Sequence, residues 1–283
     1  MNLTGIIDLH AHCGPDSMPR QIDAIDLAIL AMAAGMRGIV LKNHYEPTAS
    51  LAYFARKLVP DLQVFGGVAL NRSVDGINAA AVERMSMVAG GWGRFVWMPT
   101  FDSEAQVRFS AEKRPFVAIS GGGGLLPEVK EVLDVIAGRN LVLETGHSSA
   151  EECLLLIREG RKRGVRKIVV THAMMAPIHM TIDQMREAAD LGAYIEFVYN
   201  GLIGPYKEFD CRDYAAAIRA VSPQSAILAS DLGQPVNPLH SDGLKAYFAG
   251  MMEAGLTEEE IAVMKKDNPA VLLDIKSEVS KHA

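Results

Sequence analysis

The sequence has few cysteines, no excess of basic residues and no long apolar run, and each shortage removes a class of protein. Its three cysteines, Cys13, Cys153 and Cys211, are odd in number and far apart. They suit neither a disulfide framework nor a paired-cysteine zinc site, and they fit a reducing compartment. The formal net charge is −6, whereas a nucleic-acid binder carries a basic face or stripe, so no nucleic-acid partner is expected. The densest basic run, Arg158 to Lys167, contains Glu159 and reads as a solvated helix end. No stretch approaches about 18 apolar residues, and the opening segment lacks a basic region followed by an apolar one. A cytoplasmic location without a membrane partner is the expectation. The glycines Gly121 to Gly124 are not followed by Lys-Ser or Lys-Thr, which excludes a phosphate-cradling P-loop.

What is present is a regular alternation. The chain has 283 residues, 49% of them hydrophobic, ample for a large core, and no linker divides it, so one domain over 1–283 is expected. Short β-rich runs are predicted at Gly5 to Leu9, Gly38 to Leu41, Val64 to Leu70, Phe95 to Met98, Leu141 to Glu144, Lys167 to Thr171, Tyr194 to Val198 and Ala226 to Ala229. Helical patterns fill the gaps between them, among them one that starts at Ala150 behind Ser149, with Glu152 at capping-box spacing. Eight strands alternating with helices are the pattern of parallel βαβ units, here an α/β fold of the (β/α)8, or TIM-barrel, type. Two departures are expected. A loop insert between Phe101 and Leu126, after strand four, holds a small hairpin or a lid, and the segments Thr257 to Lys266 and Asn268 to Ser277 form extra C-terminal helices.

In such a barrel the chemistry sits at the C-terminal ends of the strands. The residues there are not random: the first run leads to Asp8-Leu9-His10-Ala11-His12, the second to Lys42-Asn43-His44, the fifth to Glu144 and His147, the sixth to His172 and the eighth to Asp231. Two histidines one residue apart on an extended segment point the same way and can meet one cation. Imidazole is a common ligand for zinc, iron or nickel, so His10, His12, His147, His172 and Asp231 are candidate ligands of a divalent metal.

This pattern resembles the amidohydrolase superfamily of metal-dependent barrel hydrolases, with His-x-His after strand one, histidines after strands five and six, and an aspartate after strand eight. The resemblance spans nearly the whole chain and includes Asn268-Pro269-Ala270, similar to the usual C-terminal helix. It implies His10, His12, His147 and Asp231 as ligands. It makes His172 either a ligand of a second ion or a hydrogen-bond donor to the transition state. The fourth strand ends Met98-Pro99-Thr100, without the lysine or glutamate that bridges two metals in the superfamily, so one ion is expected rather than two. Zinc comes first, with iron, manganese or nickel as alternatives, and Lys42 or Glu144 is left as a bridge from another position. The opening is also similar to the polymerase-and-histidinol-phosphatase family, but Gly66 to Asn71 lacks its carboxylate and Ser230-Asp231-Leu232-Gly233 lacks its Asp-x-His.

The function expected is hydrolysis of a small amide, cyclic amide, lactone or ester by metal-activated water, with Asp231 moving the proton and His172 facing the oxyanion. Decarboxylation or phosphoester cleavage on the same barrel is the alternative, and a non-catalytic metal-binding barrel is the reading from another class. Lys42 is a further catalytic candidate, while His44, Glu196 and Arg20 are candidates for contact with a small-molecule substrate. Cys13 could ligate as thiolate but reads better as a small buried residue. Asp16 reads as a turn residue, His179 and His240 as surface or capping residues, and His282 as an inert tail residue. The apolar content permits a homo-oligomer through outer helices.

Overall fold

Eight parallel strands form one sheet whose spatial order is their chain order, as helical crossovers of constant hand require. The computed structural model describes residues 2–275; His282 and the end of the predicted last helix lie outside the described residues. The strands are Ile7–His12, Gly38–Lys42, Gln63–Ala69, Gly93–Trp97, Val142–Glu144, Lys167–Val170, Tyr194–Val198 and Ala226–Ala229. First and eighth meet where His10 O accepts from the Asp231 N–H at 2.8 Å and Leu232 O accepts from the His12 N–H at 2.8 Å. That contact closes the expected (β/α)8 barrel.

The core has two layers. Outside the strands, residues such as Ile39, Leu41, Leu143 and Ile168 pack on the helices. Inside, Ile7, Leu9, Val40, Phe95, Trp97, Val142 and Ile227 fill the barrel, joined by Ala270, Leu272 and Leu273. The C-terminal helix Asn268–Leu272 therefore plugs the end opposite the histidines, and Asn268 Nδ2 ties it to Pro223 O and Ala226 O at 2.9 and 2.7 Å. Lys167 is not part of a solvated helix end. It is buried at the start of the sixth strand and paired with Asp274 at 2.5 Å.

The first strand runs three residues past its predicted end and is irregular between Asp8 and Ala11 in its register with the second. Ile7 and Leu9 face inward, yet Ala11 joins the outer layer. Strict alternation would keep all three on one side. The irregularity changes the phase, as a bulge does, and so His10 and His12 face inward.

The insert is more ordered than predicted. It holds an unpredicted helix, Glu104–Phe109, capped by Ser103. The predicted hairpin pairs Ser120–Gly121 with Gly124–Leu125. Gly122 and Gly123, at φ 59° and 85°, supply the two left-handed residues that a tight hairpin turn needs. Ser120 Oγ bonds Glu152 at 2.7 Å, tying the hairpin to the helix Ala150–Lys162. The Ser149–Glu152 capping box starts that helix as expected. Among the described residues no helix is long and apolar enough to cross a membrane.

Candidate metal centre

The strand ends converge on one buried cluster. His10 Nε2 and His12 Nε2 lie 3.0 and 3.1 Å from Asp231 Oδ1. These three offer ligand atoms within 4.8 Å of one another, the one such group among the described residues. The donors are two imidazoles and a carboxylate, a set that suits zinc or another first-row divalent ion. His10 Nδ1 faces both Glu196 oxygens at 3.2 and 3.1 Å, the carboxylate support that leaves Nε2 free for a metal.

Two of the candidate site's side chains stand on strained backbone. Asp231 has φ 50° and His172 φ 26°, a region that costs a non-glycine residue of order 1–3 kcal/mol. Hydrogen bonds hold them there, from the Asp231 N–H to His10 O at 2.8 Å and from the His172 N–H to Glu196 Oε2 at 2.9 Å. One buried carboxylate thus orients two histidines. Before the fifth-strand histidine, Gly146 has φ 64°, and a Cβ there would sit 2.2 Å from Met98 O. Only glycine makes that turn, which places the His147 N–H on Pro99 O at 2.9 Å.

Burial opposes the imidazolium of His10, but Asp231 outweighs it, with Glu196 helping, and lifts its pKa to about 9. His12, His44 and His147 go the other way, held well below the usual histidine range by burial. Burial also drops His172 to about 4, so it is neutral near pH 7. Burial alone would raise Asp231, yet His10 and His12 beside it hold the carboxyl well below the usual carboxylate range. The Lys42 ammonium, Nζ 2.9 Å from His10 Nε2 and 5.6 Å from the centre of the Trp97 ring, is lowered by burial.

A cavity of about 460 Å³ opens above the cluster. His12, Lys42, His44, His147, His172, Asp231 and Arg20 all line it. His147 lies outside the three-ligand group, its Nδ1 bonded to Gln106 Oε1 at 2.9 Å and its ring 4.9 Å from that of His172. His44 stacks on His12 at 4.8 Å and is fixed through Nδ1 to Thr100 Oγ1 at 2.9 Å, leaving Nε2 available. Glu196, expected at the substrate, is not on the cavity wall but buried behind His10, where its carboxylate orients that imidazole. Glu144 is buried and bonded by Thr171 Oγ1 at 2.7 Å, outside the ligand group. Burial pushes the Cys13 thiol up to about 12, and Cys13 lies outside the three-residue group. Asp16 takes its turn role, accepting from the Met18 N–H at 3.1 Å. His179 is exposed and pairs with Glu208 at 3.0 Å, whereas His240 is not a surface residue: it is buried, with Nε2 donating to Leu232 O at 2.8 Å.

Sequence reasoning missed Phe101, Gln106 and Phe109 from the insert, and Asn200 and Gln234 from the loops after strands seven and eight, all on the wall. Met175, Ala176 and Tyr206 from the loops after strands six and seven also line the wall, while Tyr199 stacks on Tyr247 at 5.2 Å. Asn71 was missed as a scaffold. Its Nδ2 donates to His44 O and Thr100 Oγ1, both at 2.6 Å, and its Oδ1 accepts from Thr100 N and Asp102 N at 2.8 and 3.1 Å. A polar residue just past a strand was its only signal.

Residues 5–196 match the family described as "Family of unknown function (DUF6282)". No curated protein matches the sequence. Among solved structures, an amidohydrolase from Pseudomonas aeruginosa superposes with TM-score 0.64 at 10% identity, covering 95% of each chain. An organophosphorus hydrolase from Deinococcus radiodurans gives 0.63 at 14%, over 96% of this chain and 93% of that one. A 2,6-dihydroxybenzoate decarboxylase from Rhizobium gives 0.56 at 14%, over 96% and 99%. The fold is that of the amidohydrolase barrels, as the strand-end pattern implied.

Proposed function

The chain belongs to the DUF6282 family, and from that premise we propose that it is a metal-dependent enzyme that hydrolyses a small amide, cyclic amide, lactone or ester. The observation that carries the reading is the buried group of His10, His12 and Asp231, with His10 oriented by Glu196, at the floor of a cavity. These three residues would hold one divalent ion, zinc first. When bound, such an ion supplies Lewis acidity and makes a water acidic enough to ionise near neutral pH, at a pKa of about 7.

The chain's own residues supply the rest. Asp231 accepts a proton and returns it to the leaving group, its Oδ2 steadied by Asn200 Nδ2 at 3.2 Å. His172, neutral near pH 7 because burial drops it to about 4, offers an N–H to a developing oxyanion without adding charge. Lys42 lends positive charge to the same floor. Met18, Phe101, Phe109 and Met175 keep water from the reacting centre. Decarboxylation is the second reading, supported by the superposition on the Rhizobium decarboxylase.

The test is elemental analysis of protein purified without chelator. About one equivalent of metal per chain is expected for wild type, none for His10→Ala or Asp231→Ala, and a smaller loss for His147→Ala, which stands outside the three-ligand group. A wild type that holds no metal and takes none up on addition would overturn the reading.

A further inference from the structure

The cavity wall carries a buried cation whose hydrogen bonding the protein leaves incomplete; Lys207, also on the wall, is exposed to solvent. The buried cation is Arg20. Its side chain is 4% exposed, and Nε donates to Asp16 Oδ2 at 2.7 Å, the Asp16 side chain being fully enclosed. Its buried Nη2 has no hydrogen-bond partner. Asp16 is itself fixed by the Met18 N–H, so the guanidinium has a set place and orientation on the wall. An unmatched buried donor on a charged group is among the costlier features a protein can keep. A planar guanidinium fork is matched by a planar carboxylate.

Other cations fit this role less well. Lys42 is engaged with the floor, 2.9 Å from His10 Nε2. Arg72 lines a separate groove with Asp75 and Phe116, away from the histidines. Of the acids on the wall, Asp231 is bound to histidines and Glu208 to His179 and the Ala176 N–H. The remaining wall is largely apolar, with Met18, Phe101, Phe109 and Met175.

We propose that Arg20 binds a carboxylate of the substrate, a group that stays intact while the bond to be broken lies at the histidine floor. The substrate class is then a small carboxylic acid with an apolar body, sized for a cavity of about 460 Å³. This rests on the cavity's being the substrate site, as proposed above, but it does not need the metal in order to be tested.

Benzoate and its neutral isostere benzamide are titrated calorimetrically into metal-free wild type, Arg20→Met and Arg20→Lys. Wild type should prefer benzoate by about tenfold or more, worth about 1.4 kcal/mol. Arg20→Met should lose that preference with benzamide binding unchanged, and Arg20→Lys should keep part of it. A circular-dichroism spectrum and a Tm equal to those of wild type show that each variant is folded. No preference for benzoate in wild type, or an undiminished one in folded Arg20→Met, overturns the proposal. Either result in a protein that still takes up metal leaves the metal-enzyme reading standing, whereas absent metal uptake strikes that reading alone.

Discussion

At the scale of single residues the site is a set of buried titratable groups, each set by its neighbours. His240 isolates one of them, because it lies outside the ligand group. Burial drops its pKa from 6.5 to about 4, and it sits at the first turn of the helix His240–Glu253, where a positive charge is disfavoured. The unfolded chain takes up a proton at this position near pH 6.5, the folded one only near 4. Stability from the neutral imidazole is therefore complete above pH 6.5 and is lost as pH falls from 6.5 toward 4. The shift corresponds to about 3 kcal/mol. Urea unfolding at pH 7 and pH 4.5 should show a smaller acid loss for His240→Gln than for wild type, and equal losses would refute this account. The histidines of the pattern were legible because metal-type residues at strand ends are rare. Glu196 and Lys42 were legible as charged residues out of place, but not their shared partner His10, which lies 186 and 32 residues away.

At the scale of elements, strands and helices came through clearly where alternation and caps are strong. Tyr194–Val198, Ala226–Ala229 and the capped helix after Ser149 match their predicted starts. The short insert helix Glu104–Phe109 was hidden because six residues hold too little periodicity to read. Asn71 is where elements are joined, since its amide ties the ends of strands two and four to the end of strand three. Asn71→Ala would strand a buried carbonyl and two buried N–H groups, each costing about 1–3 kcal/mol. A loss of about 3 kcal/mol in chemical denaturation is expected, with His44 displaced through its shared partner Thr100. A loss under about 1 kcal/mol would show that water replaces these bonds.

For the whole molecule, the three groups that could hold an ion come from the first strand and the segment after the eighth, so an ion bound there would brace the closure of the barrel. An ion bound only by the folded state should stabilise it by mass action, about 2.7 kcal/mol at a hundredfold excess over Kd. The expected outcome is a higher Tm with zinc than with chelator for wild type and no difference for Asp231→Ala; identical shifts in both would place the ion elsewhere. The eightfold alternation, the strand-end residue types and the capping residues are local properties, written in spacings of two, three and four residues, and the sequence alone determined them and with them the barrel. The tertiary structure alone decided which of these side chains meet. A bulge between Asp8 and Ala11 turned His10 and His12 inward, and His147 was held by Gln106 outside the three-residue group. Those outcomes depend on register and on contacts between distant segments, which no local periodicity encodes.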